Sequence, residues 1–243
     1  MLSVVIPVYR NAETIEELYQ RLRQALEPRP FELIFVNDAC PAGSANVLEQ
    51  VAAADSRVRL ITHLRNQGQH RAVRRGLAEA RGEILLTMDG DLQDPPEAIP
   101  RLLEALEEGG SAVVFAGRRG EYQAASRMMT SRAFKRLMHT VCGVPADAGS
   151  FVVMRREVAG ELLRFPVKRP YMLALIGSAG FPMTSIAVAR DSRPRGESAY
   201  SEWARISLAW NGLAAALWLK WWKWTSRQSN GTTRHNANTT AGT

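Results

Sequence analysis

Asp89 and Asp91 follow a short apolar run, Glu83–Met88, in the stretch Thr-Met-Asp-Gly-Asp-Leu-Gln93. Two carboxylates spaced i, i+2 directly after a buried strand can both face one ligand where the chain leaves a sheet. Carboxylate and amide oxygens suit Mg²⁺ or Mn²⁺, which keep several waters and share the phosphates of a substrate. An isolated Asp-x-Asp is more often a surface turn before a helix. The preceding strand, Gln93 and the following Pro-Pro-Glu97 favour a site for a metal ion and a diphosphate.

Polar residues also end the first two predicted strands. Residues 6–13 read Ile-Pro-Val-Tyr-Arg-Asn-Ala-Glu, and Asn37 and Asp38 follow the second apolar run. A carboxylate at such an edge can accept a hydrogen bond from a base N–H or a ribose hydroxyl. Residues 65–70, Arg-Asn-Gln-Gly-Gln-His, form a glycine-containing turn into a helix N-terminus, where anions bind readily. Each motif is weak alone, because polar residues commonly end strands.

The elements that must position these residues alternate along the first half of the chain. Short β-branched apolar runs predict strands, and amphipathic stretches predict helices. The predicted strands are Leu2–Pro7, Phe31–Val36, Val58–Leu64, Glu83–Met88 and Ala112–Ala116, and the predicted helices are Ala12–Leu26, Asn46–Ala54, His70–Ala80 and Pro96–Glu108. This order predicts an α/β fold with an open, mostly parallel sheet and helices on both faces. Ligands are then expected at the carboxyl ends of the strands.

The second half has a less regular pattern. Its predicted strands are Phe151–Met154 and Thr184–Ala189, and its predicted helices are Gln123–Val141, Val158–Leu163 and Trp203–Trp224. Residues 225–243 are rich in Ser, Thr, Asn and Gly and show no apolar pattern, so we expect a disordered tail.

Charge is unevenly distributed along the 243 residues. Residues 1–110 hold 12 Lys/Arg and 17 Asp/Glu, residues 111–189 hold 11 and 4, and residues 190–243 hold 8 and 3. The acidic front argues against a nucleic-acid-binding module. The basic helix predicted at 123–141 suits a phosphate-bearing ligand, since guanidinium groups bind phosphate oxygens in bidentate fashion. The alternative is a solvated basic face.

Cysteine content and the start of the chain indicate the compartment. Two cysteines, Cys40 and Cys142, exclude a disulfide scaffold and a Cys-rich metal site, and they suit a reducing environment. Met1 leads directly into a strand-like run without the basic region of a signal peptide. We therefore expect a cytoplasmic protein.

All six tryptophans lie between Trp203 and Trp224, interleaved near the end with Lys220 and Lys223. The uncharged part, Ile206–Leu219, would span roughly 21 Å as a helix, short of the ~30 Å hydrocarbon core. This composition predicts an amphipathic helix at the headgroup level of a membrane surface. The alternatives are a core-packing helix and a homo-oligomer interface.

The motifs Ile-Pro-Val-Tyr, Asn-Asp, Asn-x-Gly-Gln-His-x-Ala and Asp-Gly-Asp-Leu-Gln-Asp-Pro-Pro-Glu, in this order, resemble family 2 glycosyltransferases. The most similar branch transfers sugars to polyprenyl phosphates, as dolichol-phosphate mannose synthases, bactoprenol glucosyltransferases and undecaprenyl-phosphate aminoarabinose transferases do. The resemblance covers roughly residues 2–200. It implies a GT-A fold and a metal-dependent, inverting transferase that uses a nucleotide-sugar.

The resemblance also implies roles for individual residues. The nucleotide base and ribose would contact Pro7, Tyr9, Glu13, Asn37 and Asp38. The metal and the donor diphosphate would be held by Asp89, Asp91 and Gln93, with Arg193 and Ser198 on the donor phosphates. The acceptor phosphate would contact Arg118, Arg127 and Ser131. The implied catalytic residues are Asp91, Asp147 and Arg118, with Asp147 on the sugar and acceptor side.

Two positions depart from the family pattern. Asn37 stands where a first Asp is usual, which weakens a carboxylate contact to the base. Ala199 replaces the usual Lys of Gly-Glu-Ser-Lys-Tyr and removes one phosphate-directed charge.

The prediction is therefore a transferase that moves a sugar from a UDP- or GDP-sugar to a polyprenyl phosphate at the cytoplasmic membrane face. Its expected divisions are a glycosyltransferase domain over 1–200, a membrane-interface helix within 201–224 and the tail. The domain would comprise a nucleotide- and metal-binding half, 1–116, and an acceptor half, 117–200. The alternative acceptor is a saccharide hydroxyl, for which Asp147 would be the base. A nucleotidyltransferase is disfavoured, because no Gly-rich basic loop follows the first strand.

Overall fold

The computed structural model describes residues 1–41, 43–119, 139–168 and 170–190, together with 214, 217 and 218. The strands are β1 Leu2–Val8, β2 Phe31–Asn37, β3 Val58–Thr62, β4 Ile84–Thr87, β5 Val113–Arg119, β6 Val152–Arg155 and β7 Met183–Ala189. The helices are α1 Ile15–Leu26, α2 Ser44–Ala54, α3 Gln69–Glu79, α4 Ile99–Glu108, α5 Arg156–Arg164 and α6 Met172–Ala179. Short 3-10 turns, Ala12–Thr14 and Pro96–Ala98, precede α1 and α4.

The strands form a seven-stranded sheet in the order β3-β2-β1-β4-β6-β5-β7. The pairs β1–β2, β1–β4, β2–β3 and β5–β7 are parallel, and β6 runs antiparallel to both β4 and β5. The prediction of an α/β fold with a mostly parallel sheet is confirmed. β6 is the exception, because it runs opposite to the other six strands.

Helices cover both faces of the sheet. On one face, α1, α2 and α4 pack against alternate β1 residues such as Val4 and Ile6, and on the other α3, α5 and α6 join the core that contains Val5. Because both faces are covered, all seven β2 residues are buried, as expected for a strand inside a parallel sheet.

The carboxyl ends of six strands and the amino end of β6 meet at one edge of the sheet. The chain runs from β1 to β2 and β3 on one side and then returns to place β4 on the other side of β1. In open α/β sheets the crevice that binds ligands lies where the direction of winding changes, which is here between β1 and β4. The loops after β1 and β4 face each other across it.

The second half differs from the sequence prediction at α6, which was not predicted. Its sequence Met-Leu-Ala-Leu-Ile-Gly-Ser-Ala is almost wholly apolar, so it carries no amphipathic period, and Met172, Ala174, Leu175 and Ile176 are buried. Residues 123–138 of the predicted basic helix, nearly all of 203–224 and the tail lie outside the described residues. Within the described part of the chain, no helix is long and apolar enough to cross a membrane.

Candidate active site

Three non-glycine residues with left-handed backbone lie directly after strands at the carboxyl-end edge. They are Arg10 (φ 57°) after β1, Ala39 (φ 53°) after β2 and Leu92 (φ 60°) in the turn after β4. Left-handed backbone costs an L-residue about 1–2 kcal/mol, so it persists only where surrounding contacts impose it. Because these three strained residues lie at the carboxyl-end edge, we take this edge as the candidate site.

The Asp-Gly-Asp turn is fixed against the loop that follows β1. Thr14 Oγ1 donates a hydrogen bond to the Gly90 carbonyl oxygen at 2.5 Å. A Cβ at Gly90 would lie 2.4 Å from Asn11 Nδ2, so a side chain at this position requires the Asn11 amide to move. The loops on the two sides of the crevice are therefore in direct contact.

Asp89 joins three elements. Ser150 Oγ, just before β6, donates to Asp89 Oδ2 at 2.8 Å, and Gln69 Nε2, at the start of α3, donates to Asp89 Oδ1. Ser150 is itself held, because Thr87 Oγ1 donates to its carbonyl oxygen at 2.7 Å. Asp89 is thus oriented by residues from both halves of the chain.

Asp91 and Gln93 lie on the same turn. The Gln93 backbone N–H donates to Asp91 Oδ1 at 3.1 Å, and both residues are half-buried. Asp89, Asp91 and Gln93 thus lie on one turn after β4, at the carboxyl-end edge of the sheet.

Arg190 reaches this turn from the end of β7. Its Nε lies 3.2 Å from Asp94 Oδ1, and its Nη2 lies 3.8 Å from Asp89 Oδ2. The sequence analysis assigned no role to Arg190, and it recognised Gln69 and Asp94 only as members of motifs, without an individual role. The available signal for Arg190 was its place directly after a predicted strand.

Asp38 lies inside the protein, with its carboxylate directed to the turn before α3. Its oxygens accept hydrogen bonds from the backbone N–H groups of Gln67 (2.8 Å) and Gly68 (2.7 Å), and Oδ1 lies 2.8 Å from His63 Nδ1. Gly68 has φ 90°, a conformation that favours glycine. Asp38 is only 2% exposed, so its carboxylate holds the turn that delivers Gln69 to Asp89.

Asn37 has a similar local role. It is 3% exposed, and its Oδ1 accepts the backbone N–H of Cys40 at 3.0 Å. The Cys40 sulfur in turn accepts the backbone N–H of Arg10 at 3.1 Å, which links the loops after β1 and β2. The departure from a family Asp at position 37 therefore falls on a side chain that shapes the loop.

The other residues predicted around the nucleotide lie at the entrance of the crevice. Pro7 and Tyr9 are half-buried, and Glu13 is exposed in the turn Ala12–Thr14. The Arg10 guanidinium carbon lies 5.4 Å from the centroid of the Tyr9 ring. These side chains lie at and just beyond the carboxyl end of β1.

Asp147 lies at the same edge, on the side formed by the second half. Ser185 Oγ of β7 donates to Asp147 Oδ2 at 3.2 Å. A Cβ at Gly117 would lie 2.0 Å from the same oxygen, so the carboxylate packs against the β5 backbone. The next residue, Arg118, pairs with Val188 of β7 through its backbone. The predicted residues Arg127, Ser131, Arg193 and Ser198, and the Arg118 side chain, lie outside the described part.

His70 at the start of α3 is uncharged near neutral pH. Burial lowers its pKa to about 4, and its ring makes an edge contact with Tyr171 at 5.0 Å between centroids. This position therefore adds no positive charge to the helix N-terminus.

The residues of the turn fit a hard divalent cation by their donor chemistry. Asp89, Asp91 and Gln93 offer two carboxylates and an amide oxygen, and Mg²⁺ usually takes one or two carboxylates plus water and substrate phosphates. Over the described ranges, no three His, Cys, Asp or Glu residues are arranged to hold a metal alone. Two carboxylates and one amide oxygen leave the remaining positions of an octahedral Mg²⁺ to water and substrate phosphates.

The seven-stranded, mostly parallel sheet with a carboxylate turn after β4 has the architecture of the GT-A fold. The family model described as glycosyl transferase family 2 matches residues 3–163. The chain belongs to this family and is a glycosyltransferase, which confirms the resemblance seen in the sequence.

Three curated relatives cover most of the chain. They are an uncharacterized glycosyltransferase of Bacillus subtilis (33% identity, 87% of this chain, 67% of that protein), an undecaprenyl-phosphate 4-deoxy-4-formamido-L-arabinose transferase of Pseudomonas fluorescens (35%, 87%, 63%) and a bactoprenol glucosyl transferase of Shigella phage SfX (27%, 88%, 72%). The chain spans about two thirds of the length of these relatives.

Solved structures share the fold at low sequence identity. A mannosyltransferase from Pyrobaculum calidifontis, in complex with GDP-Man and Mn²⁺, has a TM-score of 0.65 at 19% identity and covers 89% of this chain and 64% of its own. A glucosyl-3-phosphoglycerate synthase from Mycobacterium tuberculosis, in complex with Mn²⁺, UDP and glucosyl-3-phosphoglycerate, has a TM-score of 0.63 at 20% identity, covering 90% and 79%. These similarities establish the GT-A fold.

Proposed function

We propose that this protein transfers a sugar from a nucleotide-sugar to a polyprenyl phosphate, with inversion at the anomeric carbon. The observation that carries this proposal is the meeting of both halves at one edge. Asp89 of the first half is held by Ser150 of the second, and Asp147 and the end of β5 lie along the same edge. A donor diphosphate and an acceptor phosphate can therefore approach each other there.

The donor side is the crevice between the loops after β1 and β4. Tyr9 and Glu13 border the space for the base and ribose, while Asp38 and Asn37 act through the loops that they hold. Asp89, Asp91 and Gln93 would hold Mg²⁺ or Mn²⁺, which would offset the charge of the departing nucleoside diphosphate. Structural neighbours are solved in complex with GDP-Man or with UDP, so GDP-sugars and UDP-sugars are both candidate donors.

The acceptor side is formed by the basic second half. Arg118, Arg127 and Ser131 are proposed to contact the lipid phosphate, with Arg193 and Ser198 on the donor phosphates. The β5 backbone at Arg118 is next to the Gly117 position against which Asp147 packs. Two relatives that carry different sugars are named for undecaprenyl phosphate and bactoprenol, which supports a shared lipid acceptor.

A phosphate acceptor makes modest demands on the protein. Its second pKa is about 6, so a nucleophilic oxygen is already deprotonated near neutral pH. The residues at the edge then mainly align this oxygen with the sugar C1 and exclude water. Ser185 holds the Asp147 carboxylate beside this path, where it can orient the arginines or a sugar hydroxyl.

The membrane contact is assigned to residues 203–224, at the cytoplasmic face. Of this segment the structure describes residues 214, 217 and 218; Leu217 is 54% and Trp218 38% exposed. Exposed large apolar side chains favour an interfacial role over a packed core. A homo-oligomer interface remains the competing hypothesis for the same surface.

The proposal is tested by incubating the protein with undecaprenyl phosphate and radiolabelled UDP- or GDP-sugars, with and without Mn²⁺. The donor for this assay is first selected by thermal shift, since a ligand that binds the folded state raises Tm. Metal-dependent transfer of label into the organic phase supports the proposal. Label that appears only in water-soluble products would contradict the lipid acceptor.

The position of Asp147 favours a second candidate function for the protein, which is transfer of the sugar to a saccharide hydroxyl. A hydroxyl acceptor needs a general base, and this half-buried carboxylate lies at the edge with Ser185. Asp147→Asn should abolish transfer to a hydroxyl but reduce transfer to lipid phosphate less severely. Comparing the variant with wild type on both acceptors separates the two functions.

A further inference from the structure

Arg190 connects two acidic positions of the turn after β4. Its side chain is 19% exposed, so most of the guanidinium is withdrawn from solvent. Its Nε lies 3.2 Å from Asp94 Oδ1 and its Nη2 lies 3.8 Å from Asp89 Oδ2. One cation thus serves two carboxylates, one of which belongs to the proposed metal site.

The two contacts of Arg190 differ in strength. The Asp94 side chain is 5% exposed, and a carboxylate buried to this degree requires a cation or several hydrogen bonds. Asp89 is 22% exposed, its contact is longer, and Ser150 Oγ already donates to the same oxygen at 2.8 Å. The contact of Arg190 with Asp94 is therefore the stronger one, and its contact with Asp89 is the one that can be broken.

Asp94 lies on the turn after β4, directly before Pro95, which begins the turn Pro96–Ala98. One oxygen of its carboxylate faces Arg190, which arrives from the end of β7. The pair keeps a positive charge beside Asp89.

We infer that Arg190 is a built-in counter-ion of Asp89 that a divalent cation displaces, while Asp94 retains the guanidinium at the site. This inference rests on the proposed function only in taking Asp89 and Asp91 as metal ligands. Repulsion between the guanidinium and the cation then lowers the affinity of the free protein for metal. Arg190 is accordingly a positioning residue that sets metal affinity.

The experiment measures Mn²⁺ binding to the nucleotide-free protein by electron paramagnetic resonance, with Mn²⁺ alone as the probe. Arg190→Gln should tighten binding by roughly tenfold, because a like charge is removed from beside the cation. Asp94→Asn should weaken binding about threefold, since the guanidinium loses its anchor and moves toward Asp89. A purely structural ion pair predicts the same direction of change for both variants.

The double variant D94N/R190Q keeps the test valid where R190Q alone is unstable, because it removes both charges of the Arg190–Asp94 ion pair together. It should bind Mn²⁺ roughly tenfold more tightly than D94N. The matched control is Arg101→Gln, which removes an exposed charge from α4 and should leave the affinity within about twofold.

Equal affinities of wild type and R190Q, or weaker binding in both single variants, would overturn the inference alone. Absence of Mn²⁺ binding that depends on Asp91 in the wild type would overturn the metal site of the proposed function as well. The two failures are therefore distinguishable.

Discussion

The amino-end and carboxyl-end edges of the central sheet differ in how completely their charged side chains are hydrogen-bonded. At the amino-end edge, Glu32 is 5% exposed and accepts hydrogen bonds from Ser3 Oγ (2.7 Å), the Arg81 backbone N–H (2.6 Å) and Arg59 (3.1 Å). Burial opposes ionisation of Glu32, but these hydrogen bonds outweigh it and leave its pKa lowered. The charge is fully enclosed by partners, so this edge stabilises the fold.

The carboxyl-end edge is less completely satisfied. It holds the three left-handed residues, and Asn11 Oδ1 is buried without a hydrogen-bond partner among the described residues. Its Asp89 and Asp91 are half-buried, and Asp89 is held by donors that ligands can replace. Strained left-handed residues and half-exposed carboxylates at one edge are typical of a ligand site. A buried carboxylate whose hydrogen bonds are all satisfied, such as Glu32, instead stabilises the fold.

The largest expected effect comes from Asp91→Asn. This isosteric change removes one of the two carboxylates of the turn, so transfer activity should fall by about 10³-fold, equivalent to about 4 kcal/mol of barrier. Mn²⁺ should no longer raise Tm, while the Tm of the metal-free variant stays near that of wild type. The control Glu104→Gln changes an exposed carboxylate on α4 and should keep full activity. Retained activity in D91N would remove this turn from the active site.

The next effect belongs to the opposite edge. Glu32→Ala leaves Ser3, the Arg81 N–H and Arg59 without their shared acceptor, so the free energy of unfolding should fall by about 2–4 kcal/mol. Urea denaturation measures the loss. The exposed Glu83, whose contact with Arg156 is 3.8 Å, provides the matched control, because Glu83→Ala should cost less than about 0.5 kcal/mol. If folded E32A lost activity without losing stability, the amino-end edge would also contribute to function, which would contradict the contrast between the two edges.

A third effect concerns the contact between the β1 and β4 loops. Gly90→Ala puts a Cβ 2.4 Å from Asn11 Nδ2, and overpacking of this kind should cost about 1–3 kcal/mol. The double variant N11A/G90A removes the clashing amide and should recover most of that stability. Thermal unfolding of the two variants and wild type checks this, and no recovery in the double variant would mean that the backbone of the turn itself rejects a side chain.

The smallest effect is a pH dependence at Asp55, on the loop before β3 and away from the candidate site. Hydrogen bonds from Arg57 lower the Asp55 pKa to about 2. A lowered carboxyl pKa stabilises the fold above the unfolded-state pKa of about 4, and this stability is lost as pH falls through the folded value near 2. Because Arg57 is 37% exposed, we expect only about 1 kcal/mol, measured as the unfolding free energy of wild type relative to Asp55→Asn at pH 7 and pH 2.

The first half of the fold was largely predictable because its signals are local. Apolar runs such as Phe31–Asn37 are short, β-branched and bounded by turns, and amphipathic stretches such as Ile15–Leu26 show a helical period. The Asp-Gly-Asp turn was recognisable for the same reason, since its residues are adjacent in sequence. The buried helix Met172–Ala179 was missed, because a helix that is apolar all round has no period to detect.

The chemistry-bearing residue types and the family to which they belong were determined by the sequence alone. The tertiary structure decided which way these side chains point and which distant residues they meet. Asp38 reads like a ligand-binding carboxylate at a strand end, yet three donors from residues 63–68 hold it inside. Arg190 reads as an ordinary basic residue after a strand, yet the parallel pairing of β7 with β5 brings it to Asp94. The physical reason is that spacing along the chain sets local turns, whereas contacts between loops depend on strand order and direction.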